Sequence, residues 1–188
     1  MLRRFLGLLA ALPAAAAILA GTTAPAYAHW VPVPCDFITS GGFVFTDSTA
    51  MANFGAHGGC KNGKFWGHVN YVDHGIKGHF NSTQITGYLF DPAYPNARDI
   101  CGWGDVKVNG KDQGTVRFRV RLEDNGEPGV NDRFGIQLSN GYLVTPRSLG
   151  GDGHGGGNVQ LHMPNPSTTP PFPPPDEYTM CGDLRASE

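Results

Sequence analysis

A strict alternation of apolar and charged residues predicts a β-strand over residues 115–122. The apolar members are Val116, Phe118, Val120 and Leu122. Arg117, Arg119 and Arg121 alternate with them and point to the opposite side. We interpret this arginine row as the solvated side of an antiparallel sheet, since such sheets commonly bury one face only. The alternative is a basic stripe that binds an acidic ligand.

Other segments combine apolar or β-branched residues with flanking turn residues, which is typical of strands. They are residues 42–46, 64–72, 77–81, 84–90, 99–102, 105–108, 133–138 and 158–163. Asn109-Gly110 separates two of the strands and favours a tight hairpin. The pattern predicts an all-β fold over residues 29–163, an antiparallel β-sandwich of about eight or nine short strands.

The residues after 163 have a different composition. Seven prolines occur between Pro164 and Pro175, which favours extended, polyproline-like chain. We therefore predict a proline-rich tail over residues 164–188. It contains Cys181, so the tail either returns to the domain or supports a link between molecules.

Residues 1–28 are predicted to be a signal peptide. Arg3 and Arg4 precede an apolar run that ends in Ala26-Tyr27-Ala28, the small-x-small pattern of a cleavage site. The protein is therefore expected to be secreted and extracellular, with His29 as its mature N-terminus. No membrane association is expected after the leader is removed.

Composition narrows the class of protein further. The chain of 188 residues has 27 glycines and only 16% charged residues, which disfavours a helical bundle or a coiled coil. The formal net charge of −2 gives no electrostatic reason to expect a nucleic acid as partner.

Cys35, Cys60, Cys101 and Cys181 all lie in the part predicted to be exported. Four cysteines in an oxidising compartment predict two disulfides, for which three pairings exist. The simplest arrangement pairs Cys60 with Cys101 within the domain and Cys35 with Cys181, which ties its two ends together.

Three separated motifs carry a family resemblance. They are Phe65-Trp66-Gly67-His68-Val69-Asn70-Tyr71-Val72-Asp73-His74-Gly75, the run from Glu123 to Tyr142 that contains Asp124-Asn125-Gly126-Glu127-Pro128-Gly129-Val130-Asn131-Asp132, and Gly155-Gly156-Gly157-Asn158-Val159-Gln160-Leu161-His162. Over residues 35–163 the chain resembles a family of small bacterial secreted β domains of unassigned activity, often C-terminal in surface or exported proteins. The resemblance implies a secreted, all-β, non-catalytic accessory or structural role. Unlike that pattern, this chain carries the domain alone and adds a proline-rich tail.

The acidic run between residues 123 and 132 is a candidate calcium site. Asp124, Asn125, Glu127 and Asp132 offer oxygen ligands of the kind that calcium prefers, although their spacing is not that of an EF-hand. The alternative is a solvated turn, because Asp-Asn-Gly and Glu-Pro-Gly are strong turn formers.

Histidines suggest two further metal sites. His68, His74 and His79 lie close in sequence to Asp73, a ligand set that suits zinc or copper. An amino-terminal His29 can bind copper through its amine and ring, as in copper-dependent polysaccharide monooxygenases, although His29-Trp30-Val31-Pro32 is not their usual opening. The alternative for these imidazoles is hydrogen bonding within sheets and turns.

The function expected from these features is that of a non-enzymatic binding or structural domain, with carbohydrate or another envelope component as partner. The aromatic side chains of Trp66, Trp103, Tyr71 and Tyr88 can stack on sugars, although half or more are expected in the core. No catalytic motif was found. Two alternatives remain, a copper enzyme that uses His29 and a homotypic assembly protein.

Overall fold

The computed structural model describes residues 29–150 and 155–185, so the predicted leader lies outside the described residues. The strands are β1 (Phe37–Phe45), β2 (Met51–Lys61), β3 (Lys64–Asp73), β4 (Gly78–Asp91), β5 (Tyr94–Val108), β6 (Lys111–Glu123), β7 (Arg133–Leu138), β8 (Leu143–Ser148) and β9 (Gly155–His162), followed by a short helix α1 (Glu177–Cys181). All strand pairs are antiparallel. The prediction of an all-β antiparallel fold is confirmed.

The strands form one sheet in the order β8-β7-β6-β5-β4-β3-β2-β1-β9. The sheet curls until it is nearly closed, so its two halves face each other as the layers of a sandwich do. Phe54 of β2 and Phe134 of β7, far apart in the strand order, stack with their ring centroids 3.9 Å apart. Apolar side chains from both halves therefore share one core.

Two of the tight hairpins of this sheet have Asn-Gly at their turns. Asn109 and Gly110 have φ angles of 52° and 74° between β5 and β6, and Asn62 and Gly63 have 50° and 74° between β2 and β3. Positive φ at both central residues is what a two-residue turn compatible with strand twist requires. The predicted hairpin at Asn109-Gly110 is confirmed.

The strands are longer than predicted. Residues 78–81 and 84–90 belong to one strand, β4, because bulges near Ser82 and Ile85 let it continue, whereas Lys77 lies in the preceding turn. Residues 99–102 and 105–108 similarly belong to β5. Neither β2, which is rich in Gly and Ala, nor β8, which contains Pro146 at the edge of the sheet, was predicted as a strand.

The predicted disulfide pairing is wrong, although all four cysteines are bonded. The bonds are Cys35–Cys60 and Cys101–Cys181. Cys60 lies at the end of β2, beside the start of β1, because Phe37 pairs with Gly59. This register brings Cys35 next to Cys60 and leaves Cys101, on β5, for α1.

Both terminal segments return to the sheet. The backbone N–H of Phe90 donates to the carbonyl of Trp30 at 2.7 Å, and the backbone N–H of Asn62 donates to Ser167 at 2.9 Å. Met180 is fully buried, and a Cβ added at Gly87 would lie 2.5 Å from its Cβ. Through its disulfide with Cys101, Cys181 thus attaches the tail to its own domain, which is the first of the two alternatives for the tail.

In the described part of the chain, no helix is long and apolar enough to cross a membrane.

Candidate functional site

The outward side of the sheet divides into two regions. The first, here called the covered patch, is the outward side of β4–β6 around Asp91, Asp99, Arg119 and Arg121, with His29 and residues 177–184 lying over it. The second, the open face, is the outward side of β9, β1, β2, β3 and the start of β4.

The covered patch holds a buried network of ion pairs. Asp99 accepts hydrogen bonds from the Nε atoms of Arg119 at 3.0 Å and Arg121 at 2.9 Å. Arg121 also pairs with Asp91, and Arg119 donates to Glu177 at 2.6 Å. Arg119 and Arg121 are 2% and 1% exposed. The interpretation of the arginine row as a solvated side is therefore wrong for these two residues, because the terminal segments cover them.

Burial alone would raise the pKa of Asp99, but the Arg119 and Arg121 guanidinium groups outweigh it and hold that pKa below its usual range. Burial would also raise the pKa of Asp91, but hydrogen bonds, of which the one from Arg121 is the strongest, lower that pKa overall. Both carboxyl groups are therefore ionised at neutral pH. The geometry is that of a paired structural network, since each buried charge faces an opposite charge.

His29 belongs to this network. Its Nε2 lies 3.1 Å from Asp91, its Nδ1 lies 3.2 Å from Glu177, and its backbone N–H donates to Glu177 at 3.3 Å. Both ring nitrogens thus face carboxylates.

The histidines predicted as copper or zinc ligands are not brought together. His29 lies beside the end of β4, where Trp30 pairs with Phe90, whereas His74 lies in the turn that precedes β4. The Nε2 of His74 is 2.6 Å from Asn53, and the Nδ1 of His68 is 3.2 Å from Ser82. Within residues 29–150 and 155–185, no group of three or more His, Cys, Asp or Glu side chains is placed to hold a metal ion.

The predicted calcium ligands lie in the loop between β6 and β7, beside strand β9. Asp124 accepts backbone N–H groups of Gly126 at 3.1 Å and Leu161 at 2.7 Å. Asp132 accepts those of Asn125 and Val159, each at 2.7 Å.

The other two predicted calcium ligands also have partners within the protein. The side chain of Asn125 donates to the carbonyl of Asn131 at 2.8 Å, and Glu127 accepts from Asn158 at 3.1 Å. These contacts account for the acidic run as a link between the loop and β9.

The open face consists of four rows of residues that the strand register places side by side. The first row is His162, Phe37, Gly59 and Trp66, and the second is Gln160, Thr39, His57 and His68. The third is Asn158, Gly41, Gly55, Asn70 and Asn81, and the fourth is Gly156, Phe43, Asn53, Val72 and His79. These four rows contain neither an acidic residue nor a lysine or arginine. The nearest charges lie at the borders, on Lys61 and Lys64 at the hairpin tip, on Asp105 and Lys107 of β5, and on Glu127, which accepts from the side chain of Asn158.

Five rings of the first two rows form a continuous chain, the ring cluster, which comprises His162, Phe37, Trp66, His57 and His68. Phe37 and His162 stack with their centroids 4.3 Å apart, and Phe37 and Trp66 lie 6.1 Å apart. His57 lies 5.5 Å from Trp66 and 6.3 Å from His68. All five residues are half-buried.

Burial, together with the neighbouring His68 imidazole, lowers the pKa of His57. The His57 ring is therefore uncharged at neutral pH. Thr39 bonds to the Nε2 of His162 at 2.8 Å, which fixes the orientation of that ring.

The third row forms an open trough. A Cβ added at Gly55 would meet no atom within 4 Å, and one at Gly41 would only touch a backbone oxygen at 4.0 Å. The amide of Asn70 donates to Asn81 at 3.3 Å along this trough. The absence of side chains at two neighbouring positions lets a ligand approach the backbone, while amides flank it.

A separate small cavity of about 60 Å³ opens at one end of the core. Tyr142 donates to Asp73 at 2.7 Å, and its hydroxyl lies 2.8 Å from that of Tyr71. Burial raises the pKa of Tyr71 and Tyr142, so both are neutral. The lining includes Ile76, Phe80, Val106 and Leu138. The cavity has room for a few water molecules only.

Of the four aromatic residues predicted to stack on sugars, Tyr71 and Tyr88 are 2% and 0% exposed, as expected for about half of them. Trp103 lies under the Arg117 guanidinium, 4.5 Å from its ring centroid. Only Trp66 belongs to the open face. Sequence reasoning missed Phe37, His57 and His162, because β2 was not predicted and the β1–β9 pairing is not local.

Comparisons with protein-family models, curated proteins and solved structures found no match for the chain.

Proposed function

We propose that the protein is an exported, non-enzymatic binding domain whose open face binds carbohydrate. The observation that supports this most is the composition of that face, where rings, amides, imidazoles and bare backbone occur together without a charged side chain. A charged ligand would lack an opposite charge there.

Sugars match these groups chemically. The C–H faces of a sugar ring are apolar and pack on aromatic rings such as Trp66 and Phe37, whose faces carry partial negative charge. Its hydroxyl groups both donate and accept hydrogen bonds, and the side chains of Asn70, Asn81 and Gln160 do the same. Most glycoside hydrolases act through a pair of carboxylates, which the four rows do not contain, so the face favours binding over hydrolysis.

Export has support of its own. All four cysteines are in disulfides, and such bonds form and persist in oxidising compartments. The leader predicted from residues 1–28 would deliver the chain there.

The test is binding of the exported protein, with both disulfides formed, to a panel of neutral polysaccharides (a β-glucan, a mannan and a xylan) in a pull-down and by calorimetry. Trp66→Ala is expected to weaken binding about tenfold or more, equivalent to about 1.4 kcal/mol. Trp103→Ala is the matched control, because it removes a half-buried tryptophan outside the open face. Failure of every polysaccharide to bind, or equal losses in the two variants, would contradict the proposal.

A further inference from the structure

The open face has aromatic groups at both of its ends. The ring cluster occupies the first two rows. At the other end Phe43 lies in the fourth row, and its ring contacts that of Phe45 at a centroid distance of 6.0 Å. Met51, the strand partner of Phe45, is 39% exposed there. Each end therefore offers an apolar surface of its own.

The two ends are too far apart for one sugar ring to reach both. Phe37 and Phe43 are six residues apart on β1, a span of roughly 20 Å at the usual rise of a strand. The trough at Gly41 and Gly55 lies between them, four residues from Phe37 and two from Phe43 along β1, and runs past the amides of Asn70 and Asn158. Among the described residues, no side chain comes within 4 Å of a Cβ placed at either glycine.

We infer that the ligand of the open face is a neutral polysaccharide chain that lies along the strands, from the ring cluster across the glycine trough to Phe43. This inference rests on the proposed carbohydrate binding and adds the kind of ligand and its path. Successive sugars of one chain contact the two aromatic ends, and the hydroxyls between them bond to the amides. Contacts within one chain reinforce each other because the second is made intramolecularly.

The first test is calorimetry of the exported protein with oligosaccharides of one to eight units from the neutral polysaccharide that it binds. Affinity is expected to rise with length until the chain spans both ends, and then to level off. If a monosaccharide bound as tightly as the longest oligosaccharide, the inference would be wrong while the proposed function would stand. If no oligosaccharide or polysaccharide bound, both would be wrong.

The second test blocks the path without altering either aromatic end. Gly55→Gln places a side chain in the trough, where a Cβ meets no atom within 4 Å and the backbone needs no positive φ. Long oligosaccharides are expected to lose about tenfold or more in affinity, down to the level of short ones, whereas short ones keep theirs. Thr145→Gln, at an exposed position of β8, is the matched control. An unchanged affinity of Gly55→Gln for long chains would overturn the path.

Phe43→Ala tests the far end. This variant is expected to lower the affinity for long oligosaccharides and to leave the affinity for short ones unchanged, because short ones occupy the ring cluster alone. Equal weakening of all lengths would overturn the two-ended arrangement. Tighter binding of an anionic chain such as alginate than of any neutral one would overturn the neutral character of the ligand.

Discussion

The covered patch and the open face lie on the outward side of the same sheet, yet they differ in almost every physical property. The covered patch concentrates charges that are buried beneath the two terminal segments and paired with one another. The open face has four rows without a charge, and no described segment pairs with its trough at Gly41 and Gly55. The comparison teaches that alternation along a strand indicates which residues point away from the core, but not whether water or protein covers them.

The largest expected effect comes from breaking the network of the covered patch. Asp99→Asn removes the charge that Arg119 and Arg121 share and leaves each with one carboxylate, Glu177 and Asp91 respectively, so the loss is expected to approach the cost of breaking a buried ion pair, about 3–5 kcal/mol. Urea unfolding followed by tryptophan fluorescence measures the loss. Asp105→Asn, on the same strand but exposed, is the control and is expected to change stability by about 0.5 kcal/mol or less. Similar losses in both variants would mean that the network contributes little.

An intermediate effect is expected from acid. The pKa values of Asp91 and Asp99 are lower in the folded protein than the usual value of an unfolded chain, about 3.9. Their ion pairs therefore contribute full stability above about pH 4, and this contribution is lost as pH falls from there through the lower folded pKa values.

Urea midpoints between pH 7 and pH 2.5 measure this loss. Below pH 4, the urea midpoint is expected to fall less steeply with decreasing pH in Asp99→Asn, which has one carboxylate fewer to protonate. Profiles that run parallel in the two proteins would contradict the assignment of acid sensitivity to the covered patch.

The smallest effect is expected on the open face. Gly55→Ala adds a methyl group to unoccupied space and is expected to leave stability within about 0.5 kcal/mol. Gly59→Ala, four residues along the same strand and on the same side, would place its Cβ 2.5 Å from that of Phe37. Such overpacking costs about 1–3 kcal/mol. Melting temperatures of the two variants decide the point, and equal values would mean that the trough is not open at Gly55.

Local patterns predicted the fold well wherever the signal lay within one strand or one turn. Alternation identified β6, and Asn109-Gly110 identified its hairpin, since both depend on neighbouring residues only. Strand β2 was missed because Gly55, Gly58 and Gly59 provide close approach and space rather than β-propensity. Its neighbours on the sheet supply the packing that its own side chains do not.

Features that join distant parts of the chain were not predictable in this way. The disulfide pairing depends on the register of β1 against β2, which the positions of the cysteines in the sequence do not reveal. The burial of Arg119 depends on α1, which is 58 residues away at Glu177. On the open face, Trp66 and His68 were noticed in one motif, but Phe37 and His162 meet only because β9 pairs with β1.

The carboxylates that bind β9 have a consequence for how copies of the protein behave at high concentration. An edge strand with free N–H groups is a template on which another chain can add a strand and start aggregation. Here the N–H groups of Val159 and Leu161 are already occupied by Asp132 and Asp124. An incoming strand would have to displace these two carboxylates, whose negative charge repels the carbonyl oxygens of its backbone. The acidic loop thus protects solubility, by making this edge a poor starting point for fibres.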